Sequence, residues 1–307
     1  MLKRPITQST GHIMMMEPRG FYSNPETIET NTYQAENPPN TATIQELAKH
    51  EFRRLRDRIV EAGIAVTTVL GHPDSPDDIF CNNWVSTQFM KNGEATLVYY
   101  PMLAPNRRIE RRPEVMSLLE SRYRIALDLS AEEKNGKYLE STGALWMDRI
   151  HFVAYSSLSS RADAGLARRW CAEMGFEYAP FHTKNHAGKP VYHSDVMMFI
   201  GTGYVGICLE CILPEDRAAI RTKLEATGRE IVEISMDQLR QFCGNSLELI
   251  GTGGARKLVM SGNAYRAYTD AQKAVFLKYV SEIVYADIPT IEKYGGGSAR
   301  CMLLELF

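Results

Sequence analysis

One pattern recurs along this chain: an amphipathic helix, a glycine that stops it, and a strand immediately afterwards. From Thr43 to Gly63, apolar residues fall at Ile44, Leu47, Ala48, Phe52, Leu55, Ile59 and Ala62, the spacing of one helix face. Gly63 is placed to cap that helix, and Ile64-Ala65-Val66-Thr67-Thr68-Val69 follows as a β-branched run. The same order returns four times. Pro113 to Tyr123 reads as helix before Arg124 to Leu127, and Arg161 to Gly175 before Phe176 to Tyr178. Glu215 to Gly228 precedes Glu230 to Ile234, and Thr269 to Ile283 precedes Val284 to Ala286. Each helix is itself preceded by a strand candidate: His12 to Met16, Thr96 to Tyr100, Arg149 to Tyr155, Val196 to Glu210, and Arg256 to Met260. Five strand–helix–strand modules at intervals of roughly 50 to 70 residues argue for a repeat in which neighbouring units share a core. A plain doubly wound sheet is the competing arrangement. No low-complexity linker divides the chain, and Asn37-Pro38-Pro39-Asn40 reads as a loop, so one α/β domain over residues 1–307 is expected.

Composition narrows the partners. The chain is 44% hydrophobic and 23% charged, with a formal net charge of −2, which supplies no electrostatic footprint for nucleic acid or an anionic membrane. No apolar run approaches the roughly 18 residues of a membrane span. Met1-Leu2-Lys3-Arg4-Pro5 is basic but no apolar stretch follows, so no secretory signal is expected. Six cysteines scattered over 307 residues do not form a disulfide framework and point to a reducing cytoplasm.

Residues able to carry chemistry fall in clusters, one per module. Cys301 follows Gly295-Gly296-Gly297-Ser298-Ala299-Arg300, where a glycine-rich turn lets backbone crowd a ligand. A thiol attacks as its thiolate, and a histidine can carry the leaving-group proton and then activate water. His193 lies in Tyr192-His193-Ser194-Asp195; on an extended strand Asp195 would share its side, presenting a proton carrier and an anion together. Glu140, in Leu139-Glu140-Ser141-Thr142-Gly143, could orient a cationic group or a protonated imidazole. Asn82 and Asn83 follow Asp77-Asp78, and Asp78 joins them as a candidate substrate contact. Five units around an axis would bring such remote residues to one pocket. Singly, each has a plain alternative: a hydrogen-bonding histidine, a turn glutamate, a core cysteine.

At these residues the chain resembles the arginine deiminase and amidinotransferase superfamily, whose fold is the five-bladed α/β propeller called the pentein. The resemblance covers nearly the whole chain and is nearest to the citrulline-utilisation hydrolases, also described as arginine deiminase-related proteins. It rests on Met16-Glu17-Pro18-Arg19-Gly20-Phe21, Asn24-Pro25-Glu26-Thr27, Asn82-Asn83-Trp84-Val85-Ser86, Tyr99-Tyr100-Pro101-Met102, Asn106 to Arg111, Leu139 to Gly143, Tyr192 to Met198, and Gly295 to Cys301. The resemblance implies Cys301 as nucleophile, His193 as general acid and base, Glu140 as support for His193 or the substrate, and Asp195 as holder of substrate nitrogens. Where the family typically has glycine this chain has Ser141, and where it has proline this chain has Cys81. True arginine deiminases place an aspartate at the position of Asn83. A guanidinium offers only donors and suits paired carboxylates, whereas a neutral ureido group has a carbonyl acceptor that an amide can serve. The expectation is therefore hydrolysis of citrulline to ornithine, carbon dioxide and ammonia through an S-carbamoyl enzyme, with no metal or organic cofactor. Arginine deiminase or arginine dihydrolase chemistry on the same residues is the alternative. Arg107, Arg108 and Arg111 could bind the substrate's α-carboxylate bidentately, or could equally form a solvated helix entry. The implied partner is a small ureido or guanidino amino acid, in a cytoplasmic enzyme that could form a homo-oligomer.

Two further motifs invite other functions. Gly201-Thr202-Gly203-Tyr204-Val205-Gly206 matches a dinucleotide fingerprint, which would make the chain an NAD-dependent oxidoreductase. β-like sequence continues after it where a helix is required, so a hairpin turn is expected. Cys208-Leu209-Glu210-Cys211, with His182 and His186, suggests zinc, but on a strand the two thiols would face opposite sides. A non-catalytic scaffold is a third class, against which the set Glu140, His193, Asp195 and Cys301 argues.

Overall fold

The computed structural model describes residues 6–38 and 40–307; the basic run Met1 to Pro5 and Pro39 lie outside them. β1 (His12–Glu17) runs parallel to β2 (Ala65–Leu70) through the crossover helix α1 (Ala42–Glu61). β3 (Val85–Phe89) is antiparallel to β4 (Ala95–Tyr99), which crosses over through α2 (Pro113–Glu120) to the parallel β5 (Arg124–Asp128). A one-turn helix, α3 (Ser141–Ala144), opens the next unit: β6 (Trp146–Asp148), β7 (Val153–Ser157), α4 (Ala164–Met174) and β8 (Glu177–Phe181). Another, α5 (Ser194–Met197), leads into β9 (Met198–Ile200), β10 (Tyr204–Ile207), α6 (Pro214–Glu225) and β11 (Glu230–Glu233). After α7 (Met236–Arg240) come β12 (Leu247–Ile250), β13 (Arg256–Ser261), the helices α8 (Gly262–Ala267) and α9 (Asp270–Phe276), and β14 (Glu282–Ala286).

Each of these last four units is one three-stranded sheet, its middle strand antiparallel to the first strand and parallel to the third. Among the described residues no strand precedes β1 in the first unit. The chain's end supplies one: α10 (Pro289–Gly295) leads to β15 (Leu304–Glu305), antiparallel to β1 with Ile13 opposite Glu305. Among the first strands of the units, β15 lies beside β3, β6 beside β9 and β9 beside β12, and α3 rests on β3. Five sheets of three strands replace the doubly wound alternative and fit a pseudo-fivefold α/β arrangement.

The local sequence explains these elements. Gly63, Gly175 and Gly228 hold the positive φ that ends their helices, a conformation costly for a residue with Cβ. Asp163 caps α4 by accepting from the Leu166 amide, and Ser235 with Gln238 and Thr269 with Gln272 form capping boxes. The α1 stripe buries Ile44, Ala48, Phe52, Leu55 and Ile59, about 1.5–3 kcal/mol for each large side chain. Leu47, expected on that face, is exposed.

Several boundaries differ from expectation. The span Arg149 to Tyr155 is split, since β6 ends at Asp148 and β7 begins at Val153. Val196 to Glu210 is a short helix, a two-stranded hairpin and a 3₁₀ turn. The helix expected to Ile283 stops at Phe276. Residues Gly201 to Gly203 turn the hairpin between β9 and β10, and a Cβ at Gly206 would strike the Phe199 ring. That segment opens no helix, so the dinucleotide fingerprint has no structural counterpart.

Candidate active site

The turns that enter the first strands place the chemistry. A 3₁₀ turn, Cys81–Asn83, precedes β3; Glu140 stands at the N-cap of α3; His193 stands at the N-cap of α5, with Asp195 inside it. Asn245 lies two residues before β12, and a 3₁₀ turn, Ala299–Met302, carries Cys301 just before β15. These turns span three or four residues, so no helical periodicity announces them. His193 is extended, with φ −134° and ψ 141°, but Asp195 is helical, which corrects the expectation of a shared strand face.

His193, Cys301, Asn83, Asp77, Arg107, Arg161 and Tyr192 line one tight cavity, with Phe80, Gly295 and Gly297. Thr27 and Asn31, from the segment between β1 and α1, lie across it. The Asn31 amide donates to the Gly296 carbonyl at 3.1 Å, and Arg161 donates to Thr30 Oγ1 at 2.7 Å and to the Thr27 carbonyl at 3.2 Å.

Glu140 is fully buried, and its Oε2 lies 2.8 Å from His193 Nε2 and 3.5 Å from Arg161 Nη1. Burial alone would raise its pKa, but Arg161 and the His193 hydrogen bond outweigh that and hold the carboxyl well below the usual range. A carboxylate can only accept, so Nε2 carries the imidazole proton and Nδ1 is left as the basic nitrogen. That nitrogen faces Gly143, where a Cβ would come within 2.8 Å of it and would also strike Asn83 Nδ2. Glycine there lets the amide and the imidazole approach each other.

Cys301 Sγ is 3.5 Å from Asp195 Oδ2 and 3.1 Å from Asn245 Nδ2. Burial, and then the Asp195 carboxylate, push this thiol well up, so it rests protonated with its S–H toward Asp195. Burial likewise raises Asp195, against the pull of His193 and Arg300. Asn82 Nδ2 donates to Asp195 Oδ2 at 3.0 Å, leaving Asp195 Oδ1 buried without a partner. Asn83 Oδ1 accepts from Arg107 Nη1 at 2.9 Å, and its Nδ2 is a buried donor without a partner.

The remaining candidates are placed otherwise. Asp78 does not line the cavity; its Oδ2 accepts from the His72 amide, while its neighbour Asp77 reaches the wall. Arg107 lines the wall, but its donors go to Glu110, Asn83 and the Asp77 and Phe80 carbonyls. Arg108 donates to the Met102 and Leu103 carbonyls, and Arg111 to the Tyr100 carbonyl and Glu133, so both brace the loop outside the cavity. Sequence reasoning missed Arg161, Tyr192, Asp77 and Asn245. All six cysteines are free and buried. Cys208 and Cys211 were expected on opposite sides of a strand, but Leu209–Cys211 is a 3₁₀ turn, in which positions three apart eclipse, and Cys211 Sγ reaches the Cys208 carbonyl at 3.1 Å. His182 instead pairs with Asp216 at 2.9 Å. Among the described residues no three His, Cys, Asp or Glu side chains gather as metal ligands, and no helix is long and apolar enough to cross a membrane.

Solved structures share this fold. The N-terminal domain of ArgZ, an arginine dihydrolase from the ornithine-ammonia cycle in Cyanobacteria, solved with substrate in a cysteine-to-serine variant, superposes with a TM-score of 0.73 at 15% identity, covering 96% of this chain and 97% of that one. Against the longer ArgZ chain in its apo structure the TM-score is 0.71 at 16% identity over 95% of this chain, which spans only 40% of that protein. A dimethylarginine dimethylaminohydrolase adduct with 4-chloro-2-hydroxymethylpyridine gives 0.63 at 14% identity, covering 96% and 99%. No curated protein matches the chain. A model described as N,N dimethylarginine dimethylhydrolase, eukaryotic, matches residues 17–307. With that match over nearly its whole length, the chain belongs to the N,N-dimethylarginine dimethylhydrolase family, C–N bond hydrolases of the arginine deiminase-type pentein superfamily.

Proposed function

We propose that this chain is a single pentein domain over residues 1–307, its five sheets closed as a propeller, that hydrolyses the ureido C–N bond of citrulline to give ornithine, carbon dioxide and ammonia. One observation carries the choice of a ureido group. Arg107 occupies Asn83 Oδ1, so the amide turns its unpartnered Nδ2 donor to the other side. A donor there serves a substrate carbonyl and has nothing to offer a guanidinium, which lacks an acceptor.

In the proposed reaction, His193 Nδ1 takes the proton of Cys301, and the thiolate attacks the ureido carbon. Asn83 Nδ2 donates to the oxygen as negative charge develops on it, and the free Oδ1 of Asp195 accepts from the terminal NH₂. The proton then passes from Nδ1 to the departing ornithine nitrogen, leaving an S-carbamoyl cysteine. Water enters, gives a proton to Nδ1, and attacks the carbamoyl carbon. The thiolate departs and takes that proton, and the carbamate falls apart to carbon dioxide and ammonia. Arg107, Arg108 and Arg111 give their donors to protein acceptors, and Arg161 in the cavity wall gives its own to Glu140 and the Thr27–Thr30 turn, so none of the four is assigned the substrate α-carboxylate.

A second reading, arginine dihydrolysis in two rounds, is favoured by the neighbours. AgrE in a binary complex with L-arginine shares the fold at 15% identity, and an asparagine-to-serine variant of ArgZ holds a covalent reaction intermediate. The cytoplasm is the proposed location, and a homo-oligomer the proposed assembly. The test incubates purified protein with citrulline, arginine and dimethylarginine and quantifies ornithine, citrulline and ammonia. Citrulline should give equimolar ornithine and ammonia, Cys301→Ala should give neither, and His193→Ala should be as damaging because the pair acts as a unit. Normal turnover by Cys301→Ala would exclude the mechanism, and citrulline accumulating from arginine would replace the substrate assignment.

A further inference from the structure

Four of the five strand-entry turns carry Asn83, Glu140, His193 and Cys301; the fifth carries Asn245, which no sequence motif marks. Asn245 is fully buried. Its Nδ2 lies 2.9 Å from the Asp195 backbone carbonyl and 3.1 Å from Cys301 Sγ, and its Oδ1 lies 3.4 Å from the Cys301 amide nitrogen. The orientation of the amide follows from its partners. A backbone carbonyl only accepts and a backbone N–H only donates, so the NH₂ faces Asp195 and the oxygen faces the Cys301 amide. With one N–H fixed on the Asp195 carbonyl, the second points at the sulfur.

We infer that Asn245 is a catalytic residue whose amide N–H donates to the Cys301 sulfur and stabilises the attacking thiolate. The inference rests on the reading of Cys301 as nucleophile. The surroundings make such a donor necessary. In the resting thiol, Asp195 Oδ2 at 3.5 Å accepts from S–H; once the proton leaves, the same carboxylate faces a second anion. The other titratable or charged groups around the cavity are Tyr192, His193, Arg107, Arg161 and Asp77. Arg107 is held by Glu110, and Arg161 by Glu140 and the Thr27–Thr30 turn. Tyr192 donates to the Gly296 carbonyl at 2.6 Å. Arg300, next to Cys301 in the chain, donates instead to the Leu303 carbonyl and to Glu305. Among the described residues, Asn245 is the side-chain donor that reaches the sulfur.

The experiment measures the apparent pKa of Cys301 from the pH dependence of its alkylation by iodoacetamide, located by mass spectrometry, together with kcat on citrulline. Asn245→Asp keeps the shape and removes the donor, Asn245→Ala removes both, and Asn245→Ser keeps a hydroxyl; circular dichroism and Tm identify the variants that fold. The Asp and Ala variants should raise the thiol pKa by about a unit or more and lower kcat about 10- to 100-fold, with Ser between them and wild type. A thiol pKa unmoved in any folded Asp or Ala variant overturns the inference, because a purely structural role would change Tm and leave the alkylation profile in place. Alkylation is read without substrate. A shifted thiol in a protein that does not turn over citrulline would therefore refute the substrate assignment and leave the role of Asn245 standing.

Discussion

Ser141 has a backbone φ of +43°, in the left-handed region where a Cβ is costly. What offsets the strain is its hydroxyl, which donates to the Val85 carbonyl at 3.0 Å and ties α3 to the first strand of the preceding unit. Relief of a left-handed Cβ is worth about 1–2 kcal/mol, and the hydrogen bond about 0.5–1.5 kcal/mol. Ser141→Gly should therefore leave the urea midpoint nearly unchanged, while Ser141→Ala loses the bond, keeps the strain and falls by about 1 kcal/mol. An Ala variant as stable as the Gly variant would contradict that balance. Glu140, at the N-cap of the same helix, supplies a pH prediction. Its folded pKa lies below its unfolded value, so the ionised form favours the native state. That stability is present above the unfolded pKa of about 4.3 and is lost as pH falls toward the folded value. Glu140→Gln should cost about 3–5 kcal/mol at neutral pH, because Arg161 and His193 lose a buried partner. It should also flatten the fall of unfolding free energy between pH 5 and pH 2, measured by urea titration at each pH. An unchanged acid slope would mean that Glu140 binds its proton equally readily in the native and unfolded states.

At the scale of elements, the sequence disclosed what was long and periodic. The crossover helices and the parallel strands after them follow from apolar spacing and terminal glycines. The antiparallel first strands β6, β9 and β12, of three or four residues, and the one-turn helices before them offer too few positions for any period to register. The site sits on those short turns. Its members were legible only where residue chemistry was conspicuous: a thiol after three glycines, a histidine beside an acid. Asn245 had neither mark, and only the equivalence of the five units assigns it a place. Arg107 misled for the opposite reason: its chemistry was conspicuous, but nothing in the sequence shows that Glu110, three positions on, and Asn83 and Phe80 of another turn take up its donors. One joint between elements was also invisible. Glu51 of α1 accepts from the Thr290 and Ile291 amides at the N-terminus of α10, at 3.0–3.1 Å, satisfying donors the short helix cannot. Helix α10 delivers Gly295 and Gly297 to the cavity wall. Glu51→Ala should cost about 1–2 kcal/mol in thermal or urea unfolding, the usual loss of a helix-terminal acceptor, and should lower kcat although the residue is outside the cavity. A stable variant with full activity would show α10 to be held by its apolar contacts alone.

For the whole molecule, the last strand closes the first sheet by pairing β15 with β1, and Cys301 lies in the turn just before that strand. β15 is only two residues long, yet Leu304, Leu306 and Phe307 are all buried. Glu305 pairs with both Arg149 and Arg300, and the Thr87 hydroxyl donates to the Glu305 carbonyl at 2.9 Å while accepting from the Phe307 amide at 3.0 Å. The terminal Phe307 ring packs edge-on to Phe89, with the Arg149 guanidinium 4.2 Å from its centroid. Three buried apolar side chains are worth about 1.5–3 kcal/mol each, so this tail contributes an amount comparable with the roughly 5–15 kcal/mol that stabilises a whole domain. Deleting Leu304 to Phe307 would also open the edge of β1 and leave Arg149 and Arg300 buried without their carboxylate. The deletion should remove the cooperative thermal transition, followed by circular dichroism. Phe307→Ala, which keeps the backbone pairing, should instead lower stability by about 3–5 kcal/mol while preserving a cooperative transition. If the truncated chain still melts cooperatively with a Tm within a few degrees of the full chain, the units are held by their lateral contacts, and β15 serves only to position Cys301.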